Sequence, residues 1–133
     1  MDARVNRRSS SLFGIIAFAL IQVAAVMPTV AQEGVRVKRA PTAMLRGLDK
    51  VSGFVTDIEI SVGHTAALGR LQITLGDCRY PVNDPNGDAY AYLVIRDAGV
   101  DQPQFQGWMI ASSPALNALE HPRYDVWVIR CKT

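Results

Sequence analysis

An alternation of apolar and polar side chains constrains this chain more than any other feature. Phe54, Thr56, Ile58, Ile60 and Val62 fall on one side of an extended backbone, and Gly53, Val55, Asp57, Glu59 and Ser61 fall on the other. A period of two marks a strand with one buried face. The pattern returns in Leu71, Ile73 and Leu75, which alternate with Gln72 and Thr74. Tyr90 to Arg96, dense in aromatic and β-branched residues, predicts a third strand, and Phe105 to Ala111, with Gly107 beside Trp108, a fourth. In a last strand Tyr124, Val126 and Val128 alternate with Asp125, Trp127 and Ile129 up to Cys131; both faces are largely apolar, which predicts a central position in a sheet.

Turn chemistry separates these runs. Gly63-His64-Thr65 reads as a turn, Arg79 to Asp88 as a loop, and Asp97 to Pro103 as a reversal, while Gly76 is placed to bulge the chain just before Cys78. One stretch follows other rules. Ser112-Ser113-Pro114 reads as a helix start, with Leu116 and Leu119 three apart on one side and Pro122 as the stop, so Ala115 to Glu120 is expected to form a turn or two of helix. Residues 47–133 are therefore expected to be all-β: a small antiparallel β-barrel or sandwich of five or more strands with one short helix.

The N-terminus is of a different kind. Arg4, Arg7 and Arg8 precede an apolar run from Leu12 to Met27 that only Gln22 interrupts; Pro28 ends it, and Thr29-Val30-Ala31 puts small residues where a signal peptidase reads them. Residues 1–31 are thus expected to be a signal helix cleaved after Ala31, with Ala25 as a second site, and export to the periplasm by the general secretory route follows. The run falls short of the roughly 20 apolar residues of a spanning helix. An uncleaved inner-membrane anchor is the alternative, and the only expected contact with the membrane. Residues 32–46, with Gly34, Pro41 and the basic trio Arg36, Lys38 and Arg39, show no lasting period and are expected to be a flexible tether.

Removing the signal changes the charge. Of 14 basic and 12 acidic side chains, Arg4, Arg7, Arg8 and Asp2 leave with it, so 11 of each sign remain and the domain is formally neutral. Basic character therefore argues nothing about nucleic acid, and none is expected as a partner. Export also gives the two cysteines, Cys78 and Cys131, a meaning: in an oxidising compartment they read as one disulfide. Such a link closes a loop of about 54 residues and is worth roughly 4 kcal/mol on a chain-entropy model. The cysteines, His64 and His121 lack metal-ligand spacing, and no cofactor is expected.

Two separated stretches carry a resemblance. Gly47-Leu48-Asp49-Lys50-Val51-Ser52-Gly53 is one. The other runs from Gly107-Trp108-Met109-Ile110-Ala111-Ser112-Ser113-Pro114-Ala115-Leu116 through Leu119-Glu120-His121-Pro122 to Tyr124-Asp125-Val126-Trp127-Val128 and Cys131, and Gly76-Asp77-Cys78 lies between them. With these the chain, from about Leu45 to Cys131, resembles a family of small exported alphaproteobacterial proteins catalogued as domain of unknown function 2155. The resemblance implies a Gram-negative envelope location. It implies no activity and assigns no catalytic residue.

Three constellations bear on function. Ser112, Ser113, His121 and Asp125 supply the residue types of a small hydrolase, without a nucleophile elbow and with Ser113 and His121 placed for capping roles. Asn83, Asp84, Asn86 and Asp88 gather oxygens around Gly87 as calcium prefers, though the spacing matches no EF-hand and the composition is that of an ordinary turn. Tyr90 and Tyr92 share one strand face opposite Leu93 and Ile95; if the latter pair is core, the tyrosines, with Trp108 on the next strand, form the best contact surface. These features are read as a non-enzymatic periplasmic domain that acts by contact with an envelope or inner-membrane protein, as an accessory factor of a membrane complex. The alternatives are a small-ligand, glycan or calcium binding module, and a small hydrolase using Ser112 and His121.

Overall fold

The computed structural model describes residues 26–29 and 34–133, so the signal read in residues 1–31 lies, but for four residues, outside the described part. Eight strands follow in order: β1 (Val37–Arg39), β2 (Thr42–Asp49), β3 (Val55–Ser61), β4 (Thr65–Leu68), β5 (Leu71–Pro81), β6 (Tyr90–Asp97), β7 (Phe105–Ile110) and β8 (Tyr124–Lys132). All pairings are antiparallel. One sheet runs β1-β5-β6-β7, with β4 also paired to β5; the other runs β3-β2-β8. The alternation read in the sequence is what the sheets bury. Leu71, Ile73, Leu75, Leu93 and Ile95 face inward from the first sheet, and Leu45, Ile58, Ile60, Val126 and Val128 from the second. Cys78 on β5 and Cys131 on β8 are joined, with Cα atoms 5.9 Å apart, so the disulfide ties the two sheets together across this core. The ladder between β5 and β6 shifts between Leu75 and Asp77, at Gly76. A Cβ on Gly76 would come within 2.9 Å of the Tyr92 ring, so glycine lets β6 keep that tyrosine over the bulge.

Three expectations are corrected. The tether expected at residues 32–46 is corrected in its described part, residues 34–46, which carries β1 and the first five residues of β2, the middle strand of its sheet. Ala43, Leu45 and Gly47 are buried and alternate with Met44, Arg46 and Leu48, but alanine and glycine carry too little apolar surface to announce the alternation. The Leu68 side chain fills the space beside Gly47, 2.6 Å from where a Cβ would lie, so a larger residue there would displace it. Second, no helix forms at Ala115–Glu120. A single turn closes where the Leu116 N–H donates to the Ser113 carbonyl at 3.1 Å. The Asn117 amide then donates to the Trp108 carbonyl at 2.9 Å and pins the chain to β7. Leu119 enters the core while Leu116 stays 73% exposed, so the two leucines do not share a face. Third, β8 lies at the edge of its sheet. Its second apolar face is explained by Trp127, which borders an apolar groove with Pro114, Ala115 and Ala118 of the neighbouring loop.

Candidate functional site

The outer face of the first sheet carries the surface that the sequence points to. Pairing aligns side chains in rows across it: Arg79 opposite Tyr90 opposite Ile110, and Asp77 opposite Tyr92 opposite Trp108. With Ala91, Leu93 and Ile95 turned into the core, Tyr90 and Tyr92 face outward and are half-buried. Val37 on β1 and Val35 just before it raise one wall, and Trp108 and Ile110 on β7 raise the other. Arg79 and Tyr90 form the floor of the resulting groove of about 380 Å³. The structure thus brings Tyr90 and Trp108 into one groove and sets Tyr92 against Trp108, ring centroids 5.4 Å apart and edge to face.

Polar contacts join the side chains of this face. The Arg79 guanidinium lies 5.1 Å from the centre of the Trp108 ring and donates to Asp77 at 2.8 Å. Arg39 approaches the same carboxylate at 3.5 Å. The Gln106 amide donates to the Tyr92 hydroxyl at 3.1 Å. A cation therefore lies over the Trp108 ring and a tyrosine packs against it edge to face, while Trp108 stays 36% exposed. Burial, the Asp88 charge and a hydrogen bond to Asp88 raise the Tyr90 hydroxyl above its ordinary range, so it remains a neutral donor at the rim.

The other sequence candidates are put to structural use. Asp88 does not join Asp84 and Asn86 in an oxygen cage. Its carboxylate accepts from the Ala89 N–H at 2.8 Å, the Ser112 N–H at 3.1 Å and the Ser112 hydroxyl at 2.8 Å. Burial opposes its charge, but these bonds and one from Tyr90 hold the carboxyl below its usual range. Among the described residues no cluster of three or more His, Cys, Asp or Glu is placed to hold a metal. Ser112 is thereby committed to Asp88, and His121 to another acid. The Nδ1 atom of His121 accepts the N–H groups of Arg123 and Tyr124 at 3.0 and 3.1 Å, which puts the ring proton on Nε2, 3.0 Å from Asp97. The structure does not bring Ser112 and His121 together.

His121 instead belongs to a polar cluster at the β2–β3 hairpin. Asp49 accepts from the Val51 and Ser52 N–H groups and from Arg123 at 3.0 Å, and the Lys50 ammonium donates to the His121 carbonyl at 2.6 Å. The Arg123 hydrogen bond, helped by the two N–H donors against the opposing effect of burial, lowers the Asp49 carboxyl to about 2. The two stretches that carry the resemblance therefore meet here, Asp49 to Ser52 of the first with His121 to Tyr124 of the second, and lock the hairpin to the start of β8.

A family model described as "Uncharacterized protein conserved in bacteria (DUF2155)" matches residues 43–131. The chain belongs to this family. The match spans β2 to β8, so it includes Tyr90, Tyr92, Trp108 and both cysteines, while β1 lies before it. Among curated proteins the chain is similar to the "Uncharacterized protein RP359" of Rickettsia prowazekii (strain Madrid E), 30% identical over 87 residues. Those residues are 63% of this chain and 56% of the relative, so the chain spans little more than half the length of that protein. No solved structure matches the chain. Reading the sequence missed Val35, Val37, Arg79 and Ile110 as parts of the site. The alternation of Val35 and Val37 with Arg36 and Lys38 was the available signal.

Proposed function

We propose that this member of the family is an exported, non-enzymatic domain that works in the periplasm by holding a protein partner, a component of an inner-membrane complex, on the outer face of its first sheet. The observation that supports this reading is the groove itself. A sheet face in water ordinarily carries polar side chains, yet here Val35, Val37, Tyr90, Trp108 and Ile110 converge around a single cation that is already paired. Aromatic residues and arginine over an apolar floor are the composition of the centre of a protein interface. The outer face of the second sheet offers a contrast: Arg46 pairs with Asp57 at 2.7 Å and Lys132 with Glu59 at 2.9 Å, as on a solvated surface. Export is supported by the N-terminal apolar run and by a disulfide, which persists in oxidising compartments.

The test is quantitative capture of the partner from solubilised envelopes. Tyr90→Ala with Tyr92→Ala should abolish it. Val37→Asp, at an exposed wall position that supports no core packing, should do the same with the melting temperature unchanged. Unchanged capture by both variants contradicts the reading.

A further inference from the structure

The groove has a sheet edge along one wall, and the hydrogen bonding of that edge is readable. In an antiparallel ladder the two residues of a hydrogen-bonded pair turn N–H and C=O toward each other, and the next residue turns both away. The Val82 N–H donates to the Arg36 carbonyl at 3.0 Å, and the Ala40 N–H to the Cys78 carbonyl at 2.8 Å. Arg36, Lys38 and Ala40 therefore face β5, and the backbone groups of Val37 and Arg39 point away from the sheet. Among the described residues β1 is the last strand on this side and nothing pairs with those groups, so they are open to a further strand. The edges at β7 and β8 differ, since side chains and a loop cap them. On β7 the Trp108 carbonyl accepts from Asn117 and the Ile110 carbonyl from the Ser113 N–H. On β8 the Tyr124 N–H donates to His121 and the Val126 N–H to Asp125.

The side chains of β1 and of the two residues before it sort by the same alternation. Val35 and Val37 stand on the groove side with Arg39, which is held by Asp77, and Arg36 and Lys38 stand on the opposite side, all exposed. We infer that the partner is an extended segment that adds to β1 as a further strand, with apolar residues on the groove side and acidic residues facing Arg36 and Lys38. Main-chain hydrogen bonds to Val37 and Arg39 hold it, and alternate side chains select it, as in other cases of strand addition. The basic side chains repel the β1 edge of a second copy, so they block self-pairing while favouring an acidic strand. This inference rests on the reading of the groove face as the contact surface and names what binds beside it.

Proline gives a selective test. At Val37 it removes the outward N–H, which β5 does not use, and keeps an apolar side chain on the groove wall, and an edge strand tolerates it. The probe is a soluble synthetic peptide of alternating glutamate and valine, titrated into the full chain and followed by the backbone amide signals of residues 36–40. Saturable shifts at Val37 and Arg39 are expected. Val37→Pro should weaken binding about fivefold, the effect of one lost hydrogen bond. Arg36→Glu with Lys38→Glu should abolish it and transfer the preference to a lysine–valine peptide. Equal binding by wild type and Val37→Pro, or no binding to wild type, overturns the inference. If Val37→Asp and the tyrosine variants still lose partner capture while the peptide does not bind, strand addition alone fails and the contact face stands.

Discussion

Replacing Cys78 and Cys131 together by alanine tests how the two sheets are held. The cysteines are 53 positions apart, so their link removes a large loop from the unfolded ensemble. On the chain-entropy model a loop of this size is worth roughly 4 kcal/mol. That is a large share of the roughly 5–15 kcal/mol that stabilises an ordinary domain. A domain of about 100 residues loses roughly 4–8 °C of melting temperature per kcal/mol, so a fall on the order of 20 °C is expected. Alanine is the suitable replacement because Cys78 and Cys131 are 0% and 5% exposed, and serine would bury an unpaired hydroxyl. Urea unfolding followed by the fluorescence of Trp108 and Trp127 should show the loss together with a steeper dependence on urea, since the uncrosslinked chain exposes more surface when it unfolds. Reducing the wild-type protein should reproduce both changes. A loss below about 1 kcal/mol with an unchanged slope would refute the reasoning, because the link would then not be restraining the unfolded chain.

Other expectations follow from single contacts. Leu93→Ala, at a position with no exposure, should cost roughly 2–5 kcal/mol in chemical denaturation, while Leu116→Ala, at 73% exposure, should stay within about 0.5 kcal/mol. The Asp49 carboxyl is lowered to about 2 by Arg123 in the folded state, below its unfolded value. Its contribution is therefore fully present above about pH 4 and is lost as pH falls toward 2. An Asp49→Asn variant should be less stable at neutral pH and should show a shallower acid transition in pH-dependent melting. Asp88→Ala removes the acceptor of three hydrogen bonds, two of them from Ser112, and should cost about 1–3 kcal/mol and speed hydrogen exchange at the Ser112 amide.

Much of this fold was legible because large apolar side chains repeat with period two. Ile58 and Ile60, Leu71 to Leu75, Leu93 and Ile95, and Val126 and Val128 all lie where the alternation places them. The bulge at Gly76 was legible as well, since glycine inside a strand pattern signals a close backbone approach. β2 was not, because Ala43 and Gly47 fill its inner face with almost no hydrophobic signal. The expected helix failed because local capping signals at Ser113 and Pro114 were outweighed by a tertiary contact, the Asn117 amide on the Trp108 carbonyl. Of the candidate site, Tyr90, Tyr92 and Trp108 followed from strand parity. The valine wall did not, since β1 pairs with β5 40 to 44 residues away in sequence and nothing local announces that pairing.

The claim that the first sheet's outer face is the contact surface is tested most directly by site-specific photo-crosslinking in intact cells. A photoreactive residue at Val37 or Ile110, on the two walls of the groove, should join the chain to one and the same envelope protein. The same residue at Asp57 or Glu59, on the outer face of the second sheet, should join it to none. Equal crosslinking from both faces, or crosslinks from the second sheet alone, would contradict the account.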